Sequence, residues 1–507
     1  MSEANLYSVL AAHFPADAGA PCLILPDRRA WTYGDIARAS ARMANLLFAL
    51  GLQAGDRVAV QVEKTPEALI LYLACLRAGM AYLPLNPAYR RHEIEYFLGD
   101  AEPGLFVCRP QAREMADAAA REAGVRHVLE LDDAGRGSLI DAAAPHGDDF
   151  ETVHRDADDL AAILYTSGTT GRSKGAMLTH RNLAVNAHAL HAAWRFQPGD
   201  VLLHMLPIFH VHGLFVACHC ALLNGSAMLF EPKFDARRAV ALLPESTIFM
   251  GVPTYYVRLL AEPAFSRESC RNIRLFVSGS APLLRETFED FRQRTGHVIL
   301  ERYGMTEGGM FASNPYDGER RAGTVGFPLP CTEIRVVHDA GNACAAGEVG
   351  NIQVRGDNVF AGYWRLPEKT REEFTADGWF RTGDLGSWSG DGYLSISGRS
   401  KDLVITGGLN VYPKEIEELI DALPGVAESA VIGVPHPDYG EAVTAVVVRQ
   451  KNDIGAALTE AGIVDALRGE LAGFKLPKRV HLVDDLPRNA MGKVQKNLLR
   501  ERYSAPA

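Results

Sequence analysis

From Val201 to Phe230 the chain contains no Asp, Glu, Lys or Arg. A stretch of that length must be removed from water, either by a bilayer or by the protein's own interior. Its polar and helix-breaking residues decide between the two. His204, Pro207, His210, His212, Gly213, His219 and Gly225 would each carry an awkward group into hydrocarbon. The segment is therefore expected to be buried strand, turn and core helix, with no membrane partner. It also offers zinc-ligand types in His210, His212, Cys218, His219 and Cys220, but alternating faces and a spacing that matches no standard site argue against a metal there.

Around this stretch helix and strand patterns alternate. Ile36, Ala39, Met43, Leu47 and Leu50 recur at helical spacing and stop at Gly51, and Arg57 to Val62 reads as a strand. Strand patterns recur at Leu202 to Leu206, Ala227 to Phe230, Thr247 to Val252, Leu275 to Val277 and Val298 to Glu301, with helical segments such as Asp235 to Leu243 and Leu283 to Arg294 between some of them. From Gly323 to Gly398 the pieces are short, strand-like and glycine-punctuated. After Lys401 come a helix (Lys414 to Leu423), strands (Ser429 to Val434 and Val443 to Val448), a helix near Ile463 to Leu471 and a strand (Val480 to Val483). A chain of 507 residues exceeds one compact core. The expected fold class is α/β: a large N-terminal domain (1–400) of layered α/β lobes with a small β-rich subdomain, then a smaller α+β C-terminal domain (401–507), joined by a hinge near Arg399 to Asp402.

The formal charge of −10 and the lack of a basic patch exclude a nucleic-acid partner. Eight cysteines without Cys-x-x-Cys, and an N-terminus (Met1 to Asn5) without a signal-peptide pattern, predict reduced thiols and a cytoplasmic location.

Directly behind the apolar run Ala161 to Leu164 stands Tyr165, Thr166, Ser167, Gly168, Thr169, Thr170, Gly171, Arg172, Ser173, Lys174, Gly175. Glycines that let the backbone approach, interleaved with hydroxyls and cations, suit phosphate oxygens. The spacing is not that of the common P-loop. With Thr179 as a helix cap, the loop is expected to be a strand-to-helix turn. A second motif runs Glu301 to Glu307, where Tyr303 offers a flat face for a purine and Thr306 and Glu307 offer hard oxygens for Mg²⁺. A third joins Asp384, able to accept both hydroxyls of a ribose, to Arg399 and Lys401. A fourth, Pro487 to Lys496, places Lys493 after a glycine among turn residues.

In this order and approximate spacing the four motifs resemble those of the adenylate-forming superfamily of acyl-CoA synthetases, luciferases and peptide-synthetase adenylation domains. The resemblance implies ATP, Mg²⁺ and coenzyme A. It implies that the 165–175 loop wraps the phosphates, that Tyr303 stacks on adenine, that Thr306 and Glu307 handle Mg²⁺, and that Asp384 and Arg399 hold ribose. It further implies that Lys401 lies at the hinge and that Lys493 bridges ribose and the acyl carboxylate. Ser280 and Ala281 would line the adenine and acyl pocket, Gly407 and Gly408 the thiol tunnel, and His210, Ser278 and Met310 the acid site.

Arg302 carries the question of which acid. Beside the adenine-stacking tyrosine, an arginine is costly to bury without an anion. A second substrate carboxylate would supply one; so would Glu301 or Glu307. Glu301 to Glu307 with Met310 and Ser313 to Gly318, together with His210 to Phe215 and Gly407 to Glu417, is similar to the malonyl-CoA synthetases, which implies malonate as substrate. Gly308, Gly309 and Phe311 depart from that pattern and leave methylmalonate open. The alternatives are a monocarboxylate–CoA ligase, a carrier-loading adenylation domain, disfavoured because no carrier segment follows Arg500, and a nucleotide-binding regulator without catalysis, disfavoured by Glu307, Asp384, Lys401 and Lys493 together. A lysine acetyltransferase acting on Lys493 is a candidate partner.

Overall fold

The computed structural model describes residues 4–166, 173–406, 409–436, 439–468, 470–471, 473–489 and 492–504. Two large sheets form the N-terminal part. In the first, the parallel strands Leu23-containing Pro21–Ile24, Ala227–Phe230, Val201–His204, Ile248–Gly251, Leu275–Ser278 and Leu300–Met305 lie side by side in that order, and Gly309–Ser313 turns back antiparallel on the last. The second is parallel in its centre, where Arg57–Gln61 is flanked by Ala81–Pro84 and Leu105–Cys108. Helices cover both sheets. The helix Pro66–Arg77, begun by a Thr65 cap and a proline at its first turn, is buried along almost its whole length.

The charge-free stretch is interior, as its composition requires. It folds as strand Val201–His204, π-helix His212–Cys218, helix His219–Asn224 and strand Ala227–Phe230. No helix among the described residues is long and apolar enough to cross a membrane. Its histidines and cysteine have separate partners: His204 meets Lys64 and Cys218, His219 meets the Tyr72 hydroxyl at 2.7 Å, and His212 meets Ser280.

One expectation is corrected. The loop behind Ala161 to Leu164 does not lead from strand to helix. Leu160–Thr166 pairs antiparallel with Lys174–Thr179, Thr166 opposite Lys174, so the loop joins two hairpin strands. β-branched and apolar residues on both sides favour the ladder over an immediate helix. The helix His180–Ala193 begins only after the second strand, with the Thr179 cap in place.

A four-stranded sheet built from Glu333–Val337, Gly350–Arg355, Phe380–Trp388 and Leu394–Arg399 forms the β-rich subdomain. A last sheet, centred on the long hairpin Val426–His436 and Gly440–Arg449, carries the helix Pro413–Asp421. Between these two units stands a single turn, Ser400–Asp402.

Candidate active site

Ser278 ends strand Leu275–Ser278 beside the parallel strand Leu300–Met305, and the C-terminal ends of such strands are where open α/β sheets bind ligands. Arg302 lies on strand Leu300–Met305 and is 4% exposed. Two of its guanidinium nitrogens, Nε and Nη2, have no hydrogen-bond partner, and among the described residues no carboxylate pairs with it. Burial pushes its pKa down, to about 9. Both internal candidates are engaged elsewhere. Glu301, on the same strand, accepts from the Gly323 N–H at 3.2 Å, and Glu307 accepts from the Tyr363 hydroxyl at 3.0 Å.

The guanidinium has its room because residue 279 is glycine: a Cβ there would overlap the Arg302 head group. The chain then turns through Ser280, held at φ +73°, in the sparsely populated left-handed region. Ser280 Oγ lies 3.3 Å from Nδ1 of His212, whose Nε2 is buried without a partner. The hydroxyl of Ser278, at the end of the neighbouring strand, is likewise buried and unpartnered. Burial, reinforced by the Arg302 charge, drives His210 down to about 4 and His212 well below the usual histidine value, so both rings are neutral. Orphaned donors of this kind cost roughly 1–3 kcal/mol each when nothing is bound. Their concentration beside a buried cation describes a site for an anion.

Met310 lies opposite Gly304 across the hairpin, its backbone fixed by Asn186 on both sides. The three departures have structural reasons. Gly308 leaves space for the Phe311 ring, Gly309 is at φ +64° against Asn186, and Phe311 is fully buried behind Tyr303.

Next to the acid site stands a second polar group. Asp384 is 4% exposed; Arg399 Nε reaches one of its oxygens at 2.7 Å and the Tyr303 hydroxyl donates to the other at 2.5 Å. The pairing explains why the Arg399 pKa is raised, the Asp384 charge being its largest cause. The hydroxyl bond to Asp384 fixes the orientation of the Tyr303 ring. Glu307 is buried, which raises its pKa despite Tyr363 and the nearby charges of Arg399 and Lys174. A carboxylate still short of positive charge, next in sequence to Thr306, fits a hard cation such as Mg²⁺. Lys174 sits over the Tyr363 ring at 4.0 Å and 3.5 Å from Glu373, which links the phosphate-loop hairpin to Glu307 through one tyrosine. Tyr363 was not apparent from sequence; an aromatic in Gly-Tyr-Trp looks like core.

The C-terminal unit contributes Lys493. It is exposed on a loop closed by the Asn489 and Lys493 backbones at 2.9 Å. Its pKa is lowered, first by the atoms crowding it and then by the Arg399 charge, with Asp384, Lys401 and Asp402 also near. Glycine at 492 lets this loop come close to Thr254, at the start of helix Pro253–Leu260. Behind the loop, Arg488 pairs with Glu428 and Lys496 with Glu417 at 2.6 Å. Lys401 is exposed in the connecting turn, its pKa lowered by partial burial, and Asp402 there pairs with Arg500 at 2.6 Å. Of the residues singled out in the sequence, Ser167, Gly168, Thr169, Thr170, Gly171, Gly407 and Gly408 lie outside the described residues. Thr166 and Lys174 face each other at the mouth of the loop, and Ala281 follows Ser280 in the turn.

A buried unpaired cation, a buried Asp–Arg–Tyr group and a lysine of the C-terminal unit thus stand near one another. Residues 11–364 match the family described as AMP-binding enzyme, and residues 415–493 match its C-terminal domain. The chain belongs to this family of adenylate-forming enzymes. It is 55% identical to ATP-bound MatB from Rhodopseudomonas palustris, covering 99% of each chain with a TM-score of 0.96; against the apo form of that protein the TM-score is 0.85. A malonate–CoA ligase of Arabidopsis thaliana is 34% identical over 98% of this chain and 89% of its own length. A long-chain-fatty-acid–CoA ligase of Yersinia pestis is 35% identical over 92% of this chain and 88% of its own. Identity to these two relatives does not choose between their acids.

Proposed function

We propose that the protein is a malonate–CoA ligase, converting ATP, malonate and coenzyme A into AMP, diphosphate and malonyl-CoA through a malonyl-adenylate. The observation that carries this reading is Arg302, buried without a carboxylate beside an orphaned His212 Nε2. The distal carboxylate of malonate is the missing partner, and a bidentate arginine suits its planar geometry. The kinship with malonate-named relatives supports the same acid.

A free carboxylate resists thiols because its oxygen is a poor leaving group. One carboxylate oxygen attacks the α-phosphorus of ATP, the bond to the bridging oxygen breaks, and diphosphate departs. Two anions must meet in that step, and Lys493, near Asp384 and Arg399, is placed to offset their charge. Asp384 and Arg399 hold the ribose, Tyr303 borders the adenine, and Thr306 and Glu307 hold Mg²⁺, which when bound neutralises phosphate charge. The thiol of coenzyme A then attacks the acyl carbon and AMP leaves. We assign residues 1–400 to the substrate domain and 401–507 to a mobile domain that turns about Lys401 between the half-reactions, withdrawing Lys493. The exposure of Lys493 supports a lysine acetyltransferase as a regulatory partner, and the cysteine usage supports a cytoplasmic location.

The test is diphosphate release with malonate, methylmalonate, acetate, butyrate and benzoate, with and without coenzyme A, with nucleotide products resolved. Malonate-selective release with AMP as product is expected. Formation of ADP and orthophosphate, or a preference for a neutral-tailed acid, would overturn the assignment. Loss of activity on incubation with an acetyltransferase and acetyl-CoA, abolished in Lys493→Arg, tests the regulatory partner.

A further inference from the structure

Lys64 is a buried lysine with no part in the chemistry above, its pKa pushed down to about 7 by burial. It follows strand Arg57–Gln61 of the second sheet and crosses to the first, where its Nζ lies 2.7 Å from His204 Nδ1 and 2.8 Å from the His204 carbonyl oxygen. Its remaining face sits 4.3 Å over the Phe230 ring, so the ammonium is satisfied without an ion pair. Glu231, which is near enough to stabilise its charge, is bonded to Arg238 at 2.9 Å.

The Gly213 carbonyl oxygen beside His204 Nε2 can only accept, so the proton of this buried, neutral ring is on Nε2 and Nδ1 accepts from Lys64. His204 Nε2 lies 2.9 Å from the Gly213 carbonyl oxygen, with Cys218 Sγ at 3.3 Å. The bond therefore reaches both ends of the π-helix His212–Cys218, a form of turn that recurs at functional sites. Gly213 has no alternative to glycine, because a Cβ would overlap the Pro207 carbonyl. One residue earlier stands a second histidine whose neighbour, a serine hydroxyl, can donate or accept. Ser280 Oγ lies beside His212 Nδ1, and donation from that hydroxyl leaves the proton on His212 Nε2, the atom without a partner.

We propose that Lys64 and His204 are positioning residues for the acid pocket: Lys64 donates to His204 Nδ1, His204 holds the π-helix by Gly213, and the π-helix presents the His212 Nε2–H to the anion held by Arg302. This rests on the pocket reading given above. The link is specific to a second anionic group, because an acid with a neutral tail has nothing to accept that proton.

The experiment is steady-state kinetics with malonate and with propionate on Lys64→Met, His204→Leu and His204→Gln, with Arg302→Ala as reference. Lys64→Met and His204→Leu should raise the KM for malonate at least tenfold, leave the KM for ATP within about twofold, and change kcat/KM for propionate less than threefold. His204→Gln, whose amide can accept from Lys64 and donate to Gly213, should recover most of the malonate KM. If Lys64→Met does not give folded protein, the Leu and Gln variants of His204 carry the same comparison. Unchanged malonate KM, or equal damage with malonate, propionate and ATP, overturns the proposal. Loss of malonate selectivity in Arg302→Ala with none in Lys64→Met removes the link alone, whereas selectivity retained in Arg302→Ala removes the pocket reading and the link with it.

Discussion

Two cations serve this site from opposite kinds of support. Arg302 stands on a strand of the large sheet, buried, unpartnered and walled by Gly279. Lys493 stands on an exposed loop of the C-terminal unit, held from behind by the Arg488–Glu428 and Lys496–Glu417 pairs. The first position cannot move without disturbing a packed sheet; both pairs behind the second are made within the C-terminal unit itself, so on the proposed rotation the loop travels with that unit. On the proposed roles, discrimination lies in the packed sheet and charge neutralisation on the C-terminal unit.

The sharpest way to break this contrast is Lys493→Ala. Adenylate formation should fall by about 10²–10³, as on losing a transition-state charge partner, while thioester formation from preformed malonyl-adenylate stays near the wild-type rate. Comparable damage to both half-reactions would show that Lys493 is not detachable in function. Arg302→Ala should cost at least about a hundredfold in kcat/KM for malonate, roughly 2.7 kcal/mol, with ATP affinity nearly unchanged and the relative use of propionate increased. A variant that keeps its malonate selectivity would place Arg302 among structural residues.

Smaller effects probe the supports. Lys496→Ala should slow adenylation by roughly three- to tenfold without changing acid preference, since one anchor of the loop remains; a change in preference would mean that the loop also shapes the pocket. The pH profile offers a further contrast. Lys493 works as a cation and its pKa is lowered from 10.5 by crowding and by Arg399, so its charge is complete below that lowered value and lost as pH rises through it. The alkaline limb of adenylation should therefore fall below 10.5, and should move upward in Lys493→Arg. Smallest is the stability effect: Arg302→Met removes an unpaired buried charge and should raise the melting temperature of the ligand-free enzyme by about 2 °C or more, while malonate protects only the wild type.

Much of this was legible in residue order. The charge-free stretch had to be interior because its histidines and glycines suit no bilayer, and the Glu301–Glu307 and Gly383–Lys401 motifs fell at strand ends, where side chains meet ligands. The hairpin at the phosphate loop was not legible, because Lys174–Thr179 is short and its pairing with Leu160–Thr166 is a long-range choice rather than a local preference. Nor was Lys64 visible: a lysine before Thr-Pro reads as a solvated helix start, and only the approach of the two sheets shows that His204 awaits it. Arg302 was readable as a question, since sequence gave Glu301 and Glu307 as possible partners; their hydrogen bonds to Gly323 and Tyr363 answered it.

The glycine that makes room for Arg302 has a consequence for how related chains can diverge. Because a Cβ at position 279 would meet the guanidinium, the flexible end of a side chain, a bulkier residue there is expected to push the arginine out of its present place rather than to forbid it. The two letters are therefore coupled, and a related chain that carries the arginine with a larger residue at 279 is expected to hold its acid differently.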